Sequence, residues 1–233
     1  MLDVPKIRAI GLDLDDTLWP IWPTITRADA QMQQWLAGRA PAAARLFADM
    51  EVRQALREHV LHTRPDLGHD MSALRRESIR LALERAGEDT ALAQPAFDVF
   101  FEHRMRVDLF ADALPALRFL ASRYPIVAIS NGNADVARVG LGEHFKAILS
   151  AHLFGVGKPD ARIFHAAAEA AGVHASEVLH VGDDPELDVL GGLHAGMQTV
   201  WLNRTGQVWS HTAQPHASVA DLDALCKLLG AQP

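Results

Sequence analysis

Cysteine and tyrosine are almost absent from this chain of 233 residues, which contains one of each. The single cysteine, Cys226, cannot form a disulfide within the chain, so the fold does not depend on one. No apolar run approaches the roughly 18 residues of a membrane-spanning helix. The first residues also lack the basic start and the long apolar stretch of a secretory signal. These absences predict a cytoplasmic protein with no membrane partner.

Positive charge is also scarce. The chain has 22 Lys and Arg residues but 29 Asp and Glu residues, so its formal net charge is -7. The chain has no basic tract of the kind that follows a phosphate backbone, which argues against a nucleic-acid partner. Apolar residues, by contrast, make up 49% of the chain, and no repeat or low-complexity tract interrupts them. This content is sufficient for one large core, or for a core with a smaller attached domain.

Short apolar runs with β-branched residues recur along the chain and end in polar or glycine-rich turns. They read IRAIGLDL, IVAISNGN, AILSAH, EVLHVGDD and TVWLNR, and helical patterns separate them. Such runs are typical of strands buried on both faces, and the intervening helices suit right-handed parallel crossovers. We predict an α/β fold with a Rossmann-like, doubly wound parallel sheet. Helices are predicted over residues 160–171 and 185–195, because Gly172 and Gly196 follow them as left-handed caps.

Residues 19–104 interrupt this alternation, because they contain no convincing strand and their apolar residues recur at helical spacing. We therefore predict an α/β core domain from residues 1–18 and 105–233, with an inserted helical domain over residues 19–104. The insertion starts just after the first acidic cluster, near the strand ends where open α/β sheets bind ligands. A lid over the site is the favoured interpretation, and a helical extension with no binding role is the alternative.

Polar side chains follow four of the predicted strands or the loops after them. Because the carboxyl ends of parallel strands meet at one edge of a sheet, these side chains are expected to converge. Taken singly, each is typical of a turn, a helix cap or a solvated surface. The convergent set is Asp13, Asp15, Ser130, Lys158, Asp183, Asp184 and Asp188.

This set of residues suits phosphoryl transfer. Carboxylate oxygens favour a hard cation such as Mg²⁺, which takes one or two protein carboxylates together with substrate phosphate, here Asp13 and Asp183. Asp13 is the predicted nucleophile, forming an aspartyl-phosphate that water hydrolyses. Asp15 is the predicted acid and then base. The phosphoryl oxygens are expected to bind the Ser130 hydroxyl, backbone N–H groups at Asn131 and Gly132, and Lys158.

Four further residues near these motifs receive separate interpretations. Asp16 is expected to be structural, bonding the backbone of its loop. Trp19 is a candidate to stack on a substrate ring, although burial in the hinge is the commoner role of a tryptophan. Arg75 is a candidate to bind a polar substrate tail, with a solvated helix face as the alternative. Asp70 is expected to cap the helix that follows it.

The segments DLDDT, SNG, GKPD and GDDPELD resemble the four motifs of the haloacid dehalogenase superfamily. The resemblance implies a Rossmann-like core, Mg²⁺-dependent phosphohydrolase activity and, for the helical insert, a C1-type cap. It implies that Asp13 is the nucleophile and a metal ligand, and that Asp15 is the acid and base and a metal ligand through its carbonyl. It further implies roles for the phosphate-binding residues Ser130 and Lys158, the metal ligand Asp183 and the supporting acid Asp188. Asp184 is a further candidate for a supporting role.

Members of the superfamily differ in their chemistry. Dehalogenases share the nucleophile but lack the acidic residue two positions later and need no metal, so Asp15 indicates a phosphohydrolase. Phosphomutases keep both aspartates, so a phosphosugar mutase or phosphotransferase stays open, as does a non-catalytic phosphometabolite-binding protein. The segment AISNGNADVARVGLGEHF is similar to bacterial phosphatases of flavin mononucleotide and 5-amino-6-(5-phospho-D-ribitylamino)uracil, whereas LWPIWP departs from that group. The expected partner is a small phosphorylated metabolite.

Overall fold

The computed structural model describes residues 1–230, and the chain divides into two compact units. The core unit contains Met1–Pro20, Asp108–Gly132 and the described residues from Val136 onward. The helical unit contains Ile21–Val107 together with the short segment Asn133–Asp135. The chain therefore leaves the core unit two residues after Leu18 and returns to it at Asp108.

The core unit is built on a parallel sheet. In the described residues the sheet has six strands in the order β3-β2-β1-β4-β5-β6, and every neighbouring pair is parallel. This order is that of a doubly wound Rossmann-like sheet, with the reversal of strand order between β1 and β4. The predicted fold class is confirmed. The strands are β1 Ala9–Leu12, β2 Ile126–Ser130, β3 Ala147–Ser150, β4 Val178–Gly182, β5 Gln198–Leu202 and β6 Ala217–Val219.

Burial explains which strands the sequence pattern identifies. Every residue of β1, β2, β4 and β5 is buried, which matches their continuous apolar runs. The edge strand β3 is less buried, because Ile148 is exposed, Ala147 and Leu149 are half-buried and only Ser150 is buried. The strand β6 was not predicted, because it has only three residues, all of them at least partly exposed, and so carries no apolar run.

Helices cover the sheet and build the second unit. The predicted helix at 160–171 is α9, and it ends at Gly172, whose φ is +80° as a left-handed cap requires. The core unit contains α6 Ala113–Ala121, α7 Val136–Val139, α8 Ala151–Phe154, α9 Ala161–Ala171, α10 Gly191–His194 and α11 Leu222–Leu228, and the helical unit contains α1 Ile21–Ala37, α2 Pro41–Ala48, α3 Met50–Thr63, α4 Met71–Ala86 and α5 Ala93–Arg104.

The predicted helix over residues 185–195 is present, and Gly196 follows it with φ of +78°, but its first part is not a regular α-helix. The chain first forms a π-helical turn at Pro185–Leu190 and then the short helix α10. The cause lies at Asp184, whose carbonyl accepts from the backbone N–H groups of both Asp188 and Val189 and so widens the turn. Turns of this kind are frequent at functional sites.

The helical unit has its own hydrophobic core. Residues from all five helices contribute to it, and Met32, Leu56, Ile79 and Phe100 are almost fully buried there. Asp70 caps α4 as predicted, since its carboxylate accepts from the backbone N–H groups of the next turn. Among the described residues no helix has both the length and the apolar character needed to cross a bilayer.

Candidate active site

Asp13 follows β1 directly and lies at the centre of the sheet edge. Its backbone N–H donates to the carbonyl of Val181 at 2.9 Å, which extends the pairing of β1 with β4 by one residue. The residue is only 6% exposed. The ammonium of Lys158 donates to Oδ1 of Asp13, so the predicted nucleophile contacts the predicted phosphate-binding lysine.

The loop after Asp13 turns sharply. Asp16 adopts a left-handed conformation with φ of +56°, which aspartate tolerates better than most residues. Its backbone N–H donates to the carbonyl of Trp19 at 2.8 Å and closes the turn. The side chain of Trp19 is fully buried, and its indole N–H donates to Oδ1 of Asp15 at 2.7 Å. The structure therefore gives Trp19 a carboxylate partner and no exposed surface.

The turn after β2 lies beside Asp15. Ser130 is buried at the end of the strand, and its hydroxyl accepts from the backbone N–H of Gly132 at 3.0 Å. A Cβ atom added to Gly132 would lie 2.3 Å from Oδ2 of Asp15 and 3.2 Å from Oγ of Ser130. The absence of a side chain at Gly132 thus makes room for the Asp15 carboxylate against this turn.

Asn131 and the backbone of Lys158 form a reciprocal amide pair. The side-chain amide of Asn131 donates to the carbonyl of Lys158 at 2.8 Å, and its oxygen accepts from the backbone N–H of Lys158 at 2.7 Å. Gly157 makes this approach possible, since a Cβ atom there would lie 2.4 Å from the Asn131 oxygen. The Asn131 side chain therefore holds the lysine loop, and the backbone of the 130–132 turn remains the group that can face a phosphate.

Asp188 links Lys158 to a histidine that the sequence analysis did not identify as a site residue. Oδ1 of Asp188 accepts from Nζ of Lys158 at 2.6 Å and lies 2.9 Å from Nε2 of His180. Because an ionised carboxylate only accepts, Nε2 of His180 carries the proton. His180 is 1% exposed and lies in the fully buried strand β4. The sequence feature that could have identified His180 is that it is a polar residue inside the apolar run EVLHVG.

The two aspartates after β4 have different roles in the structure. Asp184 is a helix cap, because its Oδ1 accepts from the backbone N–H groups of Glu186 and Leu187 at 2.8 Å each. Asp183 faces the acidic loop, where the hydroxyl of Thr17 lies 3.4 Å from its Oδ1. The indole N–H of Trp201, on β5, donates to the carbonyl of Asp183 at 2.8 Å and holds this loop to the sheet.

The carboxylates outnumber the cations at this edge of the sheet. One oxygen each from Asp13, Asp183 and Asp188 lies within 4.8 Å of the others, while Lys158 is the cation that touches two of them. Burial raises the pKa of Asp13 well above its usual value, and the charges of Asp188 and Asp183 add to this despite the opposing effect of Lys158. Burial is the main cause that raises the pKa of Asp183, and the negative charges of Asp188 and Asp16 help to raise it to about 7.

Lys158 and Asp188 behave as a charged pair. Burial alone lowers the pKa of Lys158, but the charges of Asp13 and Asp188 raise it above its usual value. Burial alone raises the pKa of Asp188, but Lys158 and His180 hold it below its usual range. Both oxygens of Asp188 already accept hydrogen bonds, Oδ2 from the backbone N–H of Asp184. The excess of negative charge, all on oxygen ligands, therefore fits a hard divalent cation at Asp13 and Asp183.

Arg75 lies in the helical unit and binds within it. Its guanidinium donates to Oδ1 of Asp29 and stacks over the ring of Phe100 at 3.7 Å. Arg53 binds the other oxygen of the same aspartate at 3.2 Å. Burial lowers the pKa of Arg75 despite these partners. The structure therefore shows Arg75 as a link between helices α1, α4 and α5.

Comparison with known proteins identifies the family of the chain. Residues 7–196 match the haloacid dehalogenase-like hydrolase family. The chain is 35% identical over 232 residues to the 5-amino-6-(5-phospho-D-ribitylamino)uracil phosphatase YigB of Escherichia coli, covering 96% of this chain and 97% of that protein. It is also 35% identical over 154 residues to a phosphoserine phosphatase of Thermus thermophilus, covering 64% of this chain and 62% of that protein.

A solved structure is similar over the whole fold. It is described as a 2-haloacid dehalogenase from Pseudomonas syringae pv. tomato, and it aligns with a TM-score of 0.90 and 39% identity, covering 96% of this chain and 98% of that one. These two curated relatives carry phosphatase names, whereas this structure and a curated relative from Pseudomonas sp. that is 25% identical carry dehalogenase names. The difference makes the acidic residue at position 15 the informative feature of the site.

Proposed function

The chain belongs to the haloacid dehalogenase-like hydrolase family and is a phosphoric monoester hydrolase, and we propose that it cleaves small phosphomonoesters through a phosphoryl group carried on Asp13. One observation carries the proposal. The carboxylate of Asp13 accepts a hydrogen bond from Lys158, and a second carboxylate, that of Asp15, lies against the turn from Ser130 to Gly132. A nucleophile, a cation for the phosphate and an acid for the leaving group therefore come from one edge of the sheet.

In the first proposed step, a carboxylate oxygen of Asp13 bonds to phosphorus while the bond from phosphorus to the ester oxygen breaks. Asp15, initially protonated, gives its proton to the leaving oxygen and becomes a carboxylate. Lys158 and the donors of the 130–132 turn stabilise the charge on the equatorial phosphoryl oxygens. The products of this step are the free alcohol and Asp13 bearing the phosphoryl group.

In the second proposed step, water attacks the phosphorus on Asp13. Asp15 takes a proton from the water as the water oxygen bonds to phosphorus, and the bond between phosphorus and the Asp13 oxygen breaks. Inorganic phosphate leaves, Asp13 is again a carboxylate, and Asp15 is again protonated. Each residue thus returns to its starting state after one turnover.

We propose that Mg²⁺ is the cofactor and that Asp13, Asp183 and the backbone carbonyl of Asp15 hold it. When bound, it supplies positive charge that offsets the carboxylates and the substrate phosphate. Asp188 is proposed to act through Lys158, because its oxygens already bind the lysine, His180 and the backbone of Asp184. Asp184 supports the site as the cap of the turn that carries Asp188.

For the substrate, we propose 5-amino-6-(5-phospho-D-ribitylamino)uracil or flavin mononucleotide. The support is the 35% identity to the Escherichia coli phosphatase named for the first compound, which extends over nearly the full length of both chains. Both compounds place a phosphate at the end of a ribityl chain, so one phosphate site would serve either.

The test is phosphate release from a panel of phosphoesters, with and without Mg²⁺. The panel contains the two ribityl phosphates, several sugar phosphates, phosphoserine and phosphoglycolate, and the control is Asp13→Asn. We expect Mg²⁺-dependent release that is strongest for the ribityl phosphates, and loss of essentially all turnover in Asp13→Asn, since the amide is a poor nucleophile. Turnover retained in Asp13→Asn would remove Asp13 from this role.

The same panel separates the other enzyme classes. An isomerised sugar phosphate without free phosphate would identify a mutase, because a sugar hydroxyl would then have replaced water as the acceptor. Halide release from a 2-haloacid, together with no phosphate release, would identify a dehalogenase. Binding of a phosphometabolite without turnover of any compound would leave a non-catalytic binding protein. Even activity across the panel would keep the phosphatase and remove the ribityl preference.

A further inference from the structure

We propose that Trp19 is the positioning residue for Asp15, fixing its Oδ1 so that Oδ2 carries the transferred proton. The inference rests on the proposed hydrolysis and adds a residue to it. The direct observation is the hydrogen bond of 2.7 Å from the indole N–H of Trp19 to Oδ1 of Asp15. The residues are four positions apart, so the donor and the acid belong to one turn of the chain.

The indole is held rigidly in this turn. Trp19 has no exposed surface, and its carbonyl accepts from the backbone N–H of Asp16. The loop is also anchored from outside, because the guanidinium of Arg204 donates to the carbonyl of Thr17 at 3.0 Å. The backbone N–H of Phe110 donates to the carbonyl of Leu18 at 2.9 Å. A donor on such a support fixes its acceptor, whereas a free aspartate would sample several rotamers.

The chemistry of the indole distinguishes the two oxygens of Asp15. An indole N–H is only a donor, so Oδ1 must present a lone pair to it whether Asp15 is protonated or not. The carbonyl oxygen of a protonated carboxyl is a stronger acceptor than its hydroxyl oxygen, so the bond from the indole favours the proton on Oδ2. Oδ2 is also the oxygen that lies against the Ser130 to Gly132 turn, within 2.3 Å of where a Cβ on Gly132 would be. It thus faces the turn that we propose binds the phosphoryl group.

This assignment completes the proton balance of both steps. In the first step the proton moves from Oδ2 of Asp15 to the ester oxygen as the bond from that oxygen to phosphorus breaks. In the second step Oδ2 accepts a proton from water as the water oxygen bonds to phosphorus and Asp13 leaves. Oδ1 stays on the Trp19 indole N–H throughout, so Asp15 exchanges a proton without rotating its carboxyl group.

The experiment compares two substrates that differ in their need for an acid. An alkyl phosphate needs a proton on its leaving oxygen, whereas 4-nitrophenyl phosphate has a leaving group that departs readily without one. Trp19→Phe keeps a ring but removes the donor. We expect kcat/KM of Trp19→Phe to fall about tenfold for the alkyl phosphate and by less than about threefold for 4-nitrophenyl phosphate. KM should change little, because the indole does not touch the substrate.

Three further variants separate positioning from general damage. Trp201→Phe removes an indole donor from the Asp183 loop instead, and it should affect both substrates equally. Trp19→Met is a second donor-free variant that can adapt to the buried space, and thermal melting verifies that each variant is folded. In an Asp15→Asn background, Trp19→Phe should cause no further loss, because the residue through which it acts is already disabled.

The outcomes separate this inference from the proposed function. Equal losses on both substrates in the folded Trp19 variants would overturn the positioning role, and so would a full additional loss in the Asp15→Asn background. Failure of the unaltered enzyme to release phosphate from either substrate would instead overturn the proposed function, and this inference with it. Selective loss on the alkyl phosphate, absent in Trp201→Phe, would establish the role of Trp19.

Discussion

At the scale of single residues, the site is short of positive charge. Lys158 contacts both Asp13 and Asp188, but only Asp188 keeps a lowered pKa, while burial raises the pKa of Asp13 despite this contact. Asp188, which also has His180, keeps its pKa below the usual range, whereas burial and neighbouring carboxylates raise the pKa of Asp183 to about 7. A divalent cation at Asp13 and Asp183 would balance the carboxylates that Lys158 leaves uncompensated.

This imbalance predicts how Mg²⁺ binding depends on pH. The metal needs ionised Asp183, so protons compete with it as the pH falls through about 7. We expect the Mg²⁺ affinity to weaken as the pH falls below about 7, by up to about tenfold per pH unit from Asp183 alone, and the raised pKa of Asp13 adds to this loss. Calorimetric titration between pH 6 and 8.5 measures this, with Asp184→Asn as the control that keeps the dependence. An affinity independent of pH would contradict the prediction.

The raised pKa of Asp183 also predicts the direction in which the stability of the metal-free protein changes with pH. The folded pKa of Asp183, about 7, lies above the usual value of 3.8, so the folded state holds the proton between these values. The contribution of Asp183 to the free energy of unfolding is therefore fully present below about pH 4. It is lost as the pH rises through about 7, and saturating Mg²⁺ should remove most of this loss.

At the scale of elements, β4 and the π-helical turn after it act together. The strand contains His180 and ends at Gly182. Next come Asp183, the proposed metal ligand, and Asp184, the cap, and the turn brings Asp188 back to His180. The β5 residue Trp201 holds the joining loop through the carbonyl of Asp183. One strand and one turn therefore determine the direction from which Asp188 approaches Lys158.

His180 should therefore matter to catalysis although it is remote from the substrate. His180→Leu removes the donor to Asp188 and leaves that carboxylate with less support, so we expect kcat to fall about tenfold. His180→Gln supplies an amide N–H and should recover most of the rate. The control is His165→Leu, which removes a histidine that binds the carbonyl of Ala195. Equal rates for the Leu and Gln variants would contradict a positioning role.

The comparison of sequence and structure shows which features a pattern can reveal. The ends of β1, β2 and β4 were predicted because buried parallel strands are apolar throughout and stop at a polar residue. The roles of Trp19 and Asn131 were not predicted, since they depend on where a side chain points after the loop has folded. The same is true of the π-helical turn at Pro185–Leu190, which one shared carbonyl creates.

At the scale of the whole molecule, the helical unit has a partly buried polar link of its own in addition to its apolar core. Asp29 on α1 joins Arg75 on α4 to Arg53 on α3, and the Arg75 guanidinium covers Phe100 on α5. One carboxylate thus connects three helices, and the ring contact adds the fourth. This geometry favours a structural role for Arg75, in contrast to the substrate contact proposed from the sequence.

Arg75→Met separates these two roles. If Arg75 joins the helices, the variant should lose about 1–2 kcal/mol of stability, because Asp29 keeps only Arg53 as its ion-pair partner. Its kcat and KM should be unchanged when measured well below the melting temperature. Arg80→Met, on the same helix but 40% exposed at its side chain, is the control and should cost less than about 0.5 kcal/mol. A raised KM in folded Arg75→Met would instead support the substrate contact.

Three glycines beside the site should not tolerate substitution by any residue that has a side chain. At Gly132, Gly157 and Gly182, the place of a first side-chain carbon is taken by a polar side chain of the site, from Asp15, Asn131 and Asp188 respectively. In a saturation library scored for growth or turnover, these positions would rank with the catalytic residues while contributing no functional group themselves. A mutational map of this enzyme would therefore outline the active site partly through residues that have no side chain.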